Sequence, residues 1–178
     1  MSLKGKHALV TGGGTGIGLA IARALAVRGA TVTIVGRRFD VLQSVATDGL
    51  HPLQLDVANE EQVKDGIAQA IRDRGPIQIC IPNAGIAEGR ALHKTDGEFW
   101  RRVMATNLDG AFFTIRECVT SMRETDWGRV IAISSIAGLK GLKGAAAYTA
   151  SKHGMIGLIR ALSEDYLGQP FTFNAVCP

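Results

Sequence analysis

The chain has 178 residues, of which 46% are apolar and 20% charged, with 22 glycines, three cysteines and a formal net charge of +4. That length supports one domain with its own core, and no apolar run approaches the roughly 20 residues a membrane-spanning helix needs. The basic excess is scattered, with Arg37-Arg38 and Arg101-Arg102 the only adjacent basic pairs, which argues against a nucleic-acid surface.

Taken from the start, residues 6–11 contain the apolar run His7-Ala8-Leu9-Val10 and read as a buried strand. Residues 17–28 carry apolar side chains at helical spacing. Between them lies Thr11-Gly12-Gly13-Gly14-Thr15-Gly16-Ile17-Gly18. A glycine-rich turn from strand to helix lets backbone approach a pyrophosphate and aims the helix N-terminus at its charge. The glycine spacing departs from the strict Gly-x-Gly-x-x-Gly fingerprint, and no Gly-Lys-Ser/Thr closes a phosphate loop. The flanking strand and helix favour dinucleotide binding over an unliganded flexible turn.

The second strand, residues 31–35, ends in Gly36-Arg37-Arg38 with no acid at its tip. A carboxylate there would bind the adenine ribose of NAD, whereas an arginine pairs with the 2′-phosphate of NADP. NADP is therefore favoured and NAD stays open, as does a surface arginine without a ligand. Asp56-Val57 follows a third strand at 52–55. Asp56 is open to two readings, a cofactor contact or an ordinary N-cap for the helix at 60–72.

A fourth strand at 77–81 leads to Asn83-Ala84-Gly85, small residues at the carboxyl edge where such sheets bind ligands. Helices are expected at 96–106 and 110–124. Asn107 sits within the apolar helical stretch from Phe99 to Phe113, and its buried amide is expected to break or cap the helix. Ser134 and Ser135 end a fifth strand at 129–133, so both hydroxyls reach the carboxyl edge. A last helix at 148–167 precedes a strand at 172–176. Short apolar strands alternating with amphipathic helices define an α/β fold: a single doubly wound, Rossmann-type parallel sheet with helices on both faces.

Tyr148 and Lys152 stand one helical turn apart, and Tyr148 lies thirteen residues after Ser135. A neighbouring cation favours a phenolate and draws its pKa down from about 10, towards the working range of a general acid/base. A solvated helix face is the plain alternative for such a pair. Cys80, Cys118 and Cys177 are far apart and fit buried thiols in a reducing compartment better than disulfides or zinc ligands. His7, His51, His93 and His153 show no ligand spacing, so no metal is expected and all four read as structural or exposed. No basic segment with an apolar stretch and cleavage site opens the chain, so a cytoplasmic protein is the default.

These motifs together resemble the short-chain dehydrogenase/reductase family over essentially the whole chain. Thr11 to Gly18 resembles the family's cofactor turn, Asn83-Ala84-Gly85 its Asn-Ala-Gly element, and Asn107, Ser135, Tyr148 and Lys152 its catalytic tetrad in order and spacing. The resemblance implies cofactor contacts from Gly12, Gly14, Thr15, Gly16, Ile17, Gly18, Arg37, Asp56, Val57, Asn83, Ala84, Gly85, Tyr148 and Lys152. Asp56 would meet the adenine amino group and Asn83-Ala84-Gly85 the adenine ribose. Thr15 departs from the Arg or Lys many NADP-preferring relatives carry in the turn, and Pro82 replaces the asparagine that usually precedes Asn83.

The resemblance further implies that Tyr148 is the acid/base, that Ser135 and Tyr148 bind the substrate oxygen, that Lys152 holds the nicotinamide ribose, and that Asn107 holds a water connecting the lysine to solvent. The implied substrate is a small carbonyl or alcohol. A 3-oxoacyl or 3-hydroxyacyl thioester leads, with a sugar, polyol, steroid or cyclic alcohol as the alternative. Lys140 and Lys143, in the glycine loop from Gly138 to Gly144, would either attract the phosphates of an acyl carrier or simply be solvated. A non-catalytic NADP-binding subunit is the rival from another class.

A homo-oligomer, tetramer or dimer, is also implied, through the apolar stretch from Gly110 to Phe113 and the helix after Tyr148; core packing explains those faces equally. Relatives continue for roughly seventy residues beyond the position of Pro178, consistent with the usual domain size. Residues 1–178 are thus expected to form a single NAD(P)-binding domain without the family's substrate loop, extra helix and last strand.

Overall fold

The computed structural model describes residues 2–178. Strands and helices alternate as β1 (His7–Thr11), α1 (Gly16–Val27), β2 (Thr31–Gly36), α2 (Phe39–Ser44), β3 (Leu50–Gln54), α3 (Glu60–Arg74), β4 (Ile77–Ile81), α4 (Gly97–Met104), α5 (Gly110–Met122), β5 (Gly128–Ile133), α6 (Ala146–Asp165) and β6 (Phe171–Val176). The strands form one parallel sheet in the order β3-β2-β1-β4-β5-β6. Each expected strand forms. The short α2 was not expected, because six residues around Phe39 carry too little periodicity to separate from a turn.

All five residues of β1 are buried because both faces of the sheet are covered. Leu9 packs with Val63 and Ile67 of α3, Ile115 of α5 and Met155 of α6. Ala8 and Val10 point the other way, towards Ala22 of α1 and Leu42 of α2. The chain leaves β1 and β4 in opposite directions across the sheet. Their carboxyl ends therefore open the crevice in which doubly wound sheets bind ligands.

Two expectations are corrected. Asp56 is not the N-cap of α3. Asn59 fills that place, accepting from Gln62 N at 3.0 Å, while the Asp56 carboxylate accepts from Ala58 N at 3.0 Å in a local turn. Glu60 and Glu61 in the first turn, Arg72 and Arg74 in the last, and Gly75 at φ 80° complete a helix whose ends were written in its sequence. Nor does Asn107 break its helix. α4 and α5 run on through Ala105–Asp109, wound as a π-helix. The wider turn absorbs the buried amide without ending the helix, as π-bulges do.

His7 is structural: its ring nitrogens meet Gly75 O and Thr33 Oγ1, each at 2.8 Å, and burial lowers its pKa. The three cysteines are free, with Cys80 and Cys118 buried and Cys177 half-buried. Among the described residues no helix is long and apolar enough to cross a membrane, and no cluster of His, Cys, Asp or Glu could hold a metal ion.

Candidate active site

The turn between β1 and α1 is shaped for an anion. Gly12 and Gly16 take φ values of 65° and 52°, the left-handed region that favours glycine. Thr15 caps α1 without a side-chain hydrogen bond, and no acid lies in the first turn. The amides of Gly16, Ile17 and Gly18 consequently have no partner among the described residues, and Leu19 N makes the first backbone bond, to Thr15 O at 3.1 Å. Unpaired amides at a helix start are the donors a pyrophosphate uses. Gly18 has a packing role as well: a Cβ there would collide with Gly12 O and the Asn83 amide.

Eight of the expected cofactor residues line one cleft of about 170 Å³: Gly12, Gly14, Thr15, Arg37, Asp56, Val57, Ala84 and Gly85. Val35, Gly36, Arg38, Val41, Leu42, Leu55, Ile86 and Thr106 complete its walls, none of them anticipated except as chain neighbours. A Cβ on Gly14 would stand 3.1 Å from Leu42 Cδ2 and 3.2 Å from Val41 Cγ1, so glycine keeps the space between α2 and the turn open. Arg37 and Arg38 are exposed at the rim, and neither is in an ion pair among the described residues. The backbone of Arg37 is held by Gln54 Nε2, which donates to its carbonyl at 2.9 Å.

Asn83 does not turn its side chain into this cleft. Its Nδ2 donates to Thr11 O at 2.9 Å, and Asn83 N and Ala84 N both donate to Thr11 Oγ1, at 2.9 and 3.0 Å. The residue ties the ends of β1 and β4 together, and Thr11 is a partner that sequence reasoning missed. Pro82 keeps its place at the strand end, its carbonyl accepting from Ile133 N at 2.9 Å.

The remaining candidates lie along the same carboxyl edge. Ser135 follows β5 in extended conformation, and its Oγ accepts from Ala137 N at 3.1 Å, which leaves the hydroxyl proton free to donate. Ser134 is buried and structural, donating to Lys152 O at 3.1 Å. Tyr148 sits in the first turn of α6, half-buried, and its phenol has no hydrogen-bond partner among the described residues. Lys152 lies one turn on, only 4% exposed, with Nζ 5.8 Å from the Tyr148 ring centroid and donating to Ile133 O at 2.8 Å. Burial takes water from this ammonium and lowers its pKa to about 8, the Cys177 thiol acting in the opposite direction.

Asn107 is fully buried. Its Oδ1 accepts from Ile86 N at 2.8 Å, and its Nδ2 donates to Ile86 O at 3.0 Å and to Ser151 Oγ at 3.1 Å. Gly85 faces this group: a Cβ there would lie 3.2 Å from Asn107 Oδ1 and 3.7 Å from Lys152 Nζ, so the missing side chain leaves a hollow between amide and ammonium. Ser151 was overlooked in the sequence. Its signal was a lone hydroxyl on the buried stripe Ala147, Ser151, Met155, Ile159 of α6.

A turn with unpaired amides, a buried lysine, a free phenol and a free hydroxyl thus lie along one edge of the sheet. The model of the short chain dehydrogenase family matches residues 6–178, and the chain belongs to that family. It is an oxidoreductase acting on CH–OH groups and resembles the 3-oxoacyl-thioester reductases. An acetoacetyl-CoA reductase of Shinella zoogloeoides is 38% identical over 96% of this chain and 72% of that protein. A D-beta-hydroxybutyrate dehydrogenase of Cupriavidus necator is 34% identical over 99% of this chain and 70% of that one. The crystal structure of F189W actinorhodin polyketide ketoreductase with NADPH superimposes with a TM-score of 0.95 at 33% identity, covering all of this chain and 72% of the other.

Proposed function

We propose that the protein interconverts a ketone and a secondary alcohol on a 3-oxoacyl or 3-hydroxyacyl thioester, with NADP as the preferred cofactor and Tyr148 as the acid/base. The observation that carries the chemistry is the free phenol of Tyr148 one turn from the buried ammonium of Lys152, beside a cleft built for a dinucleotide. The names of the acetoacetyl-CoA reductase and of the ketoreductase support the substrate class.

When bound, the nicotinamide supplies the hydride. The turn amides of Gly16, Ile17 and Gly18 hold the pyrophosphate, and Asp56 and Val57 border the adenine end. The hydroxyls of Ser135 and Tyr148 donate to the substrate oxygen and stabilise negative charge as it develops there. Tyr148 Oη gives up the proton in reduction and takes it in oxidation. Lys152 would hold the nicotinamide ribose and places its ammonium 5.8 Å from the Tyr148 ring centroid, while Asn107 would support the water from which the proton is restored.

The experiment is an NADPH-oxidation assay with acetoacetyl-CoA, free acetoacetate, a cyclic ketone and a 3-oxosteroid. A kcat/KM for the thioester at least about 10-fold above the others supports this reading, since that ratio corresponds to about 1.4 kcal/mol of discrimination. A preference for the steroid or cyclic ketone overturns the thioester assignment. NADPH binding without turnover on any of them favours the non-catalytic subunit.

Cofactor choice rests on Arg37 and Arg38 at the cleft rim. Arg37→Asp is expected to weaken NADPH about 10- to 100-fold, the worth of one lost charge-assisted contact, while changing NADH by no more than a few-fold. Fluorescence titration of both cofactors checks it; an equal loss for both would sink the phosphate clamp. Phe112 is exposed on α5 beside a groove containing Arg116 and Tyr166, a face suited to the homo-oligomer the family resemblance implies.

A further inference from the structure

Ser151 lies in none of the roles assigned above, yet it is fully buried between two of the site's members. Its Oγ accepts from Asn107 Nδ2 at 3.1 Å and donates to the main-chain carbonyl of Tyr148 at 2.7 Å. A serine on a helix often returns its proton to a carbonyl three residues back. Here the second contact departs from that habit, because it reaches across to another element, the π-wound segment between α4 and α5.

The connectivity fixes directions. Asn107 has two amide protons, and both are taken, by Ile86 O and Ser151 Oγ. With both protons committed, Oδ1 must face Ile86 N and the hollow at Gly85, on whose other side Lys152 Nζ stands. The hydroxyl of Ser151 has one proton, and it goes to the Tyr148 peptide. The chain of bonds therefore runs from Ile86 through Asn107 and Ser151 to the backbone that carries the phenol. A π-wound turn inside an α-helix is rare and is found frequently at functional sites. Ser151 makes this segment's only side-chain hydrogen bond to α6 among the described residues, beside the apolar contact of Leu108 with Gly154.

We propose that Ser151 is a positioning residue for proton transfer: it locks the amide orientation of Asn107 and couples the π-wound segment to the turn of α6 that presents Tyr148. This rests on the assignment of Tyr148 as the acid/base. Ser151 touches neither cofactor nor substrate. Its loss should act on kcat and on the pH dependence of kcat, and hardly on cofactor affinity.

The test uses Ser151→Ala, which removes both bonds, and Ser151→Cys, which keeps a side chain of similar size but is a poor donor and acceptor. Expected is a fall in kcat of about 10-fold in each, with the NADPH dissociation constant within about 3-fold of the parent. The limb of the kcat–pH profile that reports the acid/base should move by about half a pH unit or more. A lower melting temperature with unchanged kcat and an unmoved profile would make Ser151 purely structural and overturn the inference. So would a fall in kcat that only tracks lost cofactor affinity, or failure of both variants to fold. Tyr148→Phe run alongside separates the two levels. Turnover surviving in Tyr148→Phe overturns the acid/base assignment and the inference with it. Turnover lost there but intact in both Ser151 variants overturns the inference alone.

Discussion

Tyr148→Phe is expected to lower kcat for carbonyl reduction by about three orders of magnitude, within the range that positioned acid/base groups contribute. The NADPH dissociation constant should stay within about 3-fold of the parent, because the turn amides and the Arg37 rim are untouched. The same residue's surroundings make the variant a clean one. Its phenol has no hydrogen-bond partner among the described residues, so deleting the hydroxyl leaves no buried donor or acceptor stranded. The ring remains to cover Lys152, whose Nζ lies 5.8 Å from its centroid. Stability should therefore change by less than about 1 kcal/mol, as is usual for a substitution that opens no cavity and orphans no polar group. Steady-state rates, a cofactor titration and an unfolding curve on one preparation check all three statements. Turnover above about a tenth of the parent's would mean that the proton travels by another route.

The sheet was legible because β1, β2 and β4 are buried on both faces, which writes continuous apolar runs into the sequence. α3 was legible at both ends, since acids, bases and Gly75 stand where caps and the helix dipole require them. Asp56 was half legible: a carboxylate just before a helix suits both a cap and a ligand contact. Only the observed bond from Gln62 N to Asn59 frees it for the cleft. Asn107 was located but misread. Sequence can register a buried amide within an apolar helix, yet it cannot say whether the backbone breaks or widens, since that depends on Ile86 and Ser151 from distant parts of the chain. Asn83 likewise needed the packing of β1 against β4 before its side chain could be assigned to Thr11. What escaped in each case was a polar contact between residues far apart in sequence, for which periodicity carries no signal.

Lys152→Met is expected to cost activity and add stability. Loss of the ammonium removes the proposed ribose contact and the positive charge beside the phenol, and kcat should fall about 100-fold or more. Stability should move the other way. The lysine is 4% exposed and its pKa is lowered from 10.5 to about 8, so the folded protein holds the charged form at a disadvantage relative to the unfolded chain. At pH 7, below both values, that disadvantage is present in full and amounts to about 3 kcal/mol. Methionine has a similar length and no charge to desolvate. It forfeits the bond from Nζ to Ile133 O, worth about 1 kcal/mol. The net gain at pH 7 should be about 1 to 2 kcal/mol, read from urea unfolding.

The pH dependence carries the sign. Between the folded pKa of about 8 and the unfolded 10.5, the unfolded parent binds more protons, so the parent's stability rises with pH across that window. The advantage of the methionine variant should shrink through the same interval and be gone above it, where the lysine is neutral in both states. A variant less stable than the parent at pH 7, or an advantage that does not change with pH, would show that burial of the charge is not what depresses this lysine. With the expected result, a lysine buried in the first turns of α6 would be a source of instability retained at a site where only its charge is of use.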